Sequence, residues 1–155
     1  MREAKSLVSA GLLCEERDGN RVDYWANIDS PLYPHLEALI EKTAGPRTQL
    51  AEAFADCACP VIFIYGSRAR GTERADSDFD IFAIGDEGLR SISAKAGIVA
   101  ERAGVEVNPY VISPNEFKTR LANNDHFLKE VMSLPKIFLK GDEDELARMA
   151  EVRLA

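Results

Sequence analysis

Hydrophobic and polar positions alternate along this chain in two registers, one of strands and one of helices, with a break at Gly45-Pro46. Beyond the break, Leu50, Ala51, Phe54 and Ala55 fall on one side of a short amphipathic helix. Val61–Tyr65 is a continuous β-branched and aromatic run, which predicts a buried strand. A turn and the start of a helix follow at Gly66–Gly71, and Asp78–Ile84 predicts a second strand. Leu89, Ile92, Ala96, Val99 and Ala100 outline a longer helix ending near Gly104, and Val105–Ile112 predicts a third strand. Ser113 to Glu116 has the spacing of a capping box, opening a helix with Phe117 and Leu121 turned inward. A helix through Phe127, Leu128, Val131 and Met132 comes next, then a short strand at Lys136–Lys140. Asp142 starts a terminal helix carrying Leu146, Met149 and Val152–Arg153.

Before the break the pattern is thinner. Leu7, Ala10 and Leu12-Leu13 suit a helix running into a strand. Leu12–Glu16 and Arg21–Ala26 read as two strands around Arg17-Asp18-Gly19-Asn20, because Asp, Gly and Asn tolerate the positive φ of a tight hairpin turn. Ser30-Pro31 then opens a helix with Leu32, Leu36, Leu39 and Ile40 along one face. The expectation is an α+β protein with a mixed β-sheet covered by helices, divided into residues 1–45 and 46–155.

Composition narrows the classes. Hydrophobic residues make up 46% of the 155, enough for a packed core. No apolar run approaches the roughly 20 residues of a membrane span, and Met1–Leu13 does not have the form of a signal peptide. A cytoplasmic protein without a membrane partner is therefore expected. The formal charge of −7 opposes a chain whose main business is gripping duplex DNA. Cys14, Cys57 and Cys59 are an odd set without a partner pair, so buried thiols are expected rather than a disulfide framework.

The chemistry concentrates in Gly66–Ile81. A strand, then Gly66-Ser67, then a helix is a phosphate-binding order: Gly66 allows a tight turn, Ser67 can cap the helix and offer a hydroxyl, and Arg68 and Arg70 suit forked contacts with phosphate oxygens. Asp78 and Asp80 share one face of the following strand. Two adjacent carboxylates repel unless a cation lies between them, and Mg²⁺ is the oxygen-seeking ion that such a pair holds together with substrate phosphates.

Gly66-Ser67-Arg68-Ala69-Arg70-Gly71 followed by Ser77-Asp78-Phe79-Asp80-Ile81 resembles the minimal nucleotidyltransferases of the DNA polymerase-β superfamily. The resemblance implies that fold, and transfer of a nucleoside monophosphate from ATP or another triphosphate to a hydroxyl of a protein or a small molecule. It implies Mg²⁺, with Mn²⁺ as the alternative, held by Asp78 and Asp80. It further implies nucleotide contacts from Gly66, Ser67, Arg68, Arg70 and Ser77, and a third carboxylate from a later strand. Glu106, on the strand that also carries Asn108, is the candidate third ligand and general base; the other reading is a solvent-facing residue. Asp142–Glu145 fits the favoured negative charge of a helix start, His126 a surface or packing position, and Tyr65 and Tyr110 the core.

Leu7, Ala10-Gly11-Leu12-Leu13, Arg17–Arg21 and Tyr24-Trp25 resemble the second half of an ArsR-like winged helix, a hairpin plus the end of the recognition helix, with Met1 falling within or near that helix. A recognition helix needs a supporting helix to orient it over the groove. With five basic against eight acidic side chains up to Gly45, DNA binding by this chain alone is not expected. Pairing of two subunits, or packing on the larger domain, through Tyr24, Trp25 and Leu32 fits better. The competing functional reading is a regulator whose nucleotidyltransferase-like domain only senses nucleotide.

Overall fold

The computed structural model describes residues 2–72 and 77–150. Two compact units divide between Thr43 and Ala44.

The smaller unit opens with α1 (Arg2–Ser9), followed by β1 (Leu13–Asp18) and β2 (Arg21–Ala26), which pair antiparallel around the Gly19-Asn20 turn, and ends in α2 (Tyr33–Ala44). None of its described side chains is buried. Leu7, Leu12, Leu13, Ala26, Leu36 and Ile40 line an open cleft of about 410 Å³ instead of closing a core.

The larger unit is built on one sheet. It runs α3 (Pro46–Phe54), β3 (Val61–Tyr65), α4 (Ser67–Arg70), β4 (Phe79–Ile84), α5 (Leu89–Ala103), β5 (Val107–Ile112), α6 (Pro114–Ala122), α7 (His126–Ser133), β6 (Ile137–Lys140) and α8 (Glu143–Ala150). The strand order is β5-β4-β3-β6. β3 is antiparallel to both its neighbours, and β4 and β5 are parallel, so the sheet is mixed. The terminal helix is described as far as Ala150, and Val152–Arg153 lie outside the described residues.

Strand pleating sorts β3 and β4 onto two cores. Ile62, Ile64, Phe79, Ile81 and Ala83 pack with Leu50 and Phe54 of α3 and Ile92, Ala96 and Val99 of α5. Val61, Phe63, Phe82 and Ile84 pack with Phe117 of α6, Leu128 and Val131 of α7 and Leu146 of α8. Both faces are covered, which is why these strands read as near-continuous apolar runs. Phe82 is the hub of the second core, with the Phe63 ring 5.3 Å and the Tyr110 ring 5.1 Å away. Cys57 and Cys59 are buried in the first core, and burial pushes the Cys59 thiol up to about 11, which keeps it protonated at neutral pH.

Local chemistry sets the helix boundaries. The Ser113 hydroxyl accepts from the Glu116 N–H at 3.2 Å, and Asp125 Oδ1 accepts from the Leu128 N–H at 3.0 Å, starting α6 and α7. Asp142 Oδ1 does the same for α8, accepting from the Glu145 N–H at 2.8 Å. β5 begins two residues later than the apolar pattern predicts, because the Val105 N–H still donates to Ala100 O at the end of α5. No helix among the described residues is long and apolar enough to cross a membrane.

Candidate functional site

β3 ends at Tyr65, and the chain turns into the single-turn α4 through Gly66, at φ 78° and ψ −145°. That backbone region is essentially reserved for glycine. A Cβ at Gly66 would lie 2.6 Å from Asp80 Oδ2. The turn therefore presses directly against the carboxylate on β4, made possible by the pairing of Tyr65 with Asp80 across the β3–β4 ladder. Gly66, not Ser67, is the N-cap, and no side chain caps the turn. This corrects the capping role expected of Ser67, which takes the first helical position because only glycine fits the preceding conformation.

Asp78 and Asp80 flank the buried Phe79 at the start of β4. Asp80 is half-buried. Burial, and then the charge of Asp78, raise its carboxyl above the ordinary range, and Arg70 opposes them. Arg70 is exposed and close enough to act on Asp80 through its charge. The arrangement gathers two carboxylates with a cation at one rim.

Arg68 has a different task from the phosphate contact expected of it. Its Nε donates to Ser77 O at 2.9 Å and to Asp78 O at 3.2 Å, and its Nη2 donates to Ser77 O as well. Its guanidinium carbon lies 3.7 Å from the centre of the Phe79 ring. Arg68 thus ties the turn to the strand that carries the acids. Glu73–Asp76, the middle of the motif, lie outside the described residues.

Glu106 does not join the pair. It is exposed and precedes β5, and it meets the ladder through its backbone, Glu106 O accepting from the Phe79 N–H at 2.8 Å. Among the described residues no three His, Cys, Asp or Glu side chains come close enough to hold one ion. The side chain that reaches the acids is Asn108. It pairs with Asp80 in the parallel ladder, and its Nδ2 donates to Asp78 Oδ2 at 3.2 Å. The signal for it lay two residues beyond Glu106 on the same strand face. Tyr65 and Tyr110 are partly buried against the second core, and Tyr110 also accepts from Arg120. His126 is exposed.

Two carboxylates without a third ligand still fit Mg²⁺. That ion commonly takes one or two carboxylates and completes its shell with water and substrate phosphate oxygens.

Gly66→Ala is expected to cost stability modestly, about 1–3 kcal/mol of backbone strain, and to displace the Asp80 carboxylate. Thermal melts check the first effect and a crystal structure of the variant the second; an unmoved Asp80 carboxylate would show that the turn and Asp80 act separately.

The sequence over residues 61–144 matches the family described as Nucleotidyltransferase domain. Similar solved structures include a toxin–antitoxin complex with AMP-PNP, at 15% identity and a TM-score of 0.47, covering 67% of this chain and 80% of that one. Another is the tri-AMPylated HEPN toxin of Shewanella oneidensis in complex with MNT antitoxin, at 12% identity and a TM-score of 0.42, covering 68% and 77%. A third is the MntA-HepT toxin–antitoxin complex, at 14% and 0.41, covering 68% and 78%. Likenesses this distant decide nothing about ligand or partner. No curated protein matches the chain.

Proposed function

The chain belongs to the nucleotidyltransferase domain family, and from that premise we propose that it binds a nucleoside triphosphate with Mg²⁺ and transfers the nucleoside monophosphate to a hydroxyl acceptor, releasing pyrophosphate. The observation that carries this reading is the contact of Gly66 with the Asp80 carboxylate, which puts an anion-binding turn and a cation-demanding acid pair in one place. Neither half makes sense alone: phosphates approaching Asp78 and Asp80 are repelled unless a divalent cation comes with them.

In this reading Asp78 and Asp80 hold the metal. The N–H groups of Ser67, Arg68 and Ala69, which have no carbonyl behind them within the helix, receive phosphate oxygens together with the Ser67 hydroxyl and the Arg70 guanidinium. Ser77 completes the nucleotide set, and Arg68 supports it from behind. Bound Mg²⁺ would neutralise charge on the triphosphate and make phosphorus a better target for the acceptor oxygen. Glu106 is not carried forward as general base or ligand. ATP is the first triphosphate to try, with a protein or a small molecule as acceptor, and a cytoplasmic setting suits such a reaction.

A second reading has its own observation. Asn108 stands beside the acids, and the Glu106 carboxylate expected as third ligand does not. A site with that change suits nucleotide sensing with little turnover, and the hairpin and helices of the smaller unit would then serve as the winged-helix remnant of a regulator, or as a surface that pairs two subunits. Titration of ATP with and without Mg²⁺, followed by an assay of pyrophosphate release in the presence of candidate acceptors, separates the two. Transfer requires both binding and release. Tight Mg²⁺-dependent binding without release selects the sensor, and absence of binding removes both.

A further inference from the structure

We propose that Asn108 is a positioning residue of the acid-pair site, and that its neutral amide makes cation binding depend on the triphosphate. The inference rests on the triphosphate reading above and adds to it how the metal is admitted. Asn108 lies opposite Asp80 in the β4–β5 ladder, and its Nδ2 reaches Asp78 Oδ2 at 3.2 Å. An ionised carboxylate only accepts hydrogen bonds, so the amide nitrogen faces it and the amide oxygen is turned away from that bond.

Two consequences follow from this orientation. The N–H donor satisfies one acceptor site of Asp78 when no cation is present, and so the free protein tolerates its acid pair. Among the described residues the site also brings together two carboxylates and not three. Two carboxylates hold Mg²⁺ well only when phosphate oxygens fill the remaining positions. A third carboxylate at position 108 would add repulsion to the empty site and attraction to the bare ion.

The test is thermal unfolding of the full chain and its variants in EDTA, in MgCl₂, and in MgCl₂ with a non-hydrolysable ATP analogue. The parent is expected to melt alike in EDTA and MgCl₂ and higher with the analogue. Asn108→Asp is expected to melt lower in EDTA and to recover in MgCl₂ alone, a response to the bare ion that the parent does not give. Asn108→Ala, which removes the bond without adding charge, is expected to melt somewhat lower than the parent in EDTA and to need roughly tenfold more Mg²⁺ with the analogue. Glu106→Gln is expected to match the parent throughout.

An Asn108→Asp protein that tracks the parent in EDTA and MgCl₂ overturns the proposal, as does a Glu106→Gln protein that loses the analogue response. If Asn108→Asp does not fold in EDTA, Asn108→Ala decides, and unchanged Mg²⁺ demand overturns the proposal. A parent that ignores Mg²⁺ with the analogue overturns the triphosphate reading and the nucleotide dependence claimed here. The Mg²⁺ response of Asn108→Asp still reports whether position 108 faces the acids, so the two failures are told apart.

Discussion

Asp80→Asn is expected to abolish the Mg²⁺-dependent stabilisation by a triphosphate and to lower nucleotidyl transfer by roughly a hundredfold or more, without lowering the stability of the metal-free protein. The two halves of that expectation have one origin. Asp80 is half-buried beside Asp78, and burial and the neighbouring charge both penalise its ionised form. Asparagine is almost the same shape and carries neither penalty, so the protein in EDTA keeps or gains stability. Loss of the Arg70 attraction costs little at so exposed a guanidinium. The same change removes a charge that no other described residue replaces when a cation binds, since Glu106 stands outside the pair. Melts in EDTA and in MgCl₂ with ATP analogue, alongside turnover, check both halves. A variant that melts well below the parent in EDTA would make Asp80 a structural partner and sink its assignment as a ligand.

Gly85→Ala is expected to be the most damaging single-methyl change in the larger unit. Gly85 follows β4, and its N–H donates to Ile112 O at 3.0 Å. A Cβ there would lie 2.3 Å from Cys59 Cα and 2.5 Å from Ala58 O, both backbone atoms that cannot rotate aside. The Asp86 N–H donates to Ala58 O at 3.0 Å, and the Ala58 N–H donates to Glu87 Oε2 at 2.7 Å, so the two segments are pinned on either side of the contact. Overpacking against a fixed backbone costs about 3 kcal/mol or more, which lowers the melting temperature by on the order of 10 °C. Circular dichroism melts measure it, and a drop of only a degree or two would mean that the Ala58–Cys59 segment yields.

Much of the fold was legible because its signals are local. Val61–Tyr65 and Arg21–Ala26 are strands over the residues that their patterns predict, and Ser113 caps α6 through Glu116. The acid pair was legible for the same reason, since strand alternation alone puts Asp78 and Asp80 together. What escaped was set at a distance. Alternation says that Glu106 and Asn108 share a face, but not which rung of the neighbouring strand each occupies; the parallel register gives Asp80 to Asn108. Arg68 reads as a phosphate ligand until its side chain is seen to reach Ser77 and Asp78. The helical pattern at Leu32–Ile40 is real, yet Leu32, Leu39 and Ile40 remain exposed, because periodicity reports a face and not what covers it.

The parallel ladder is also expected to set the order in which the site is assembled. β3 and β4 pair directly and bring Gly66 to Asp80, whereas Asn108 arrives only when α5 has crossed over and β5 has docked. Parallel pairing through a crossover is the slower kind of closure, for its loop entropy is lost before its contacts are gained. A triphosphate that recognises the completed site binds the native state and not the chain still searching for it. Its stabilisation therefore falls on the rate of unfolding, with little effect on the rate of folding. A nucleotide bound there is expected to lengthen the lifetime of the folded protein without hastening its arrival.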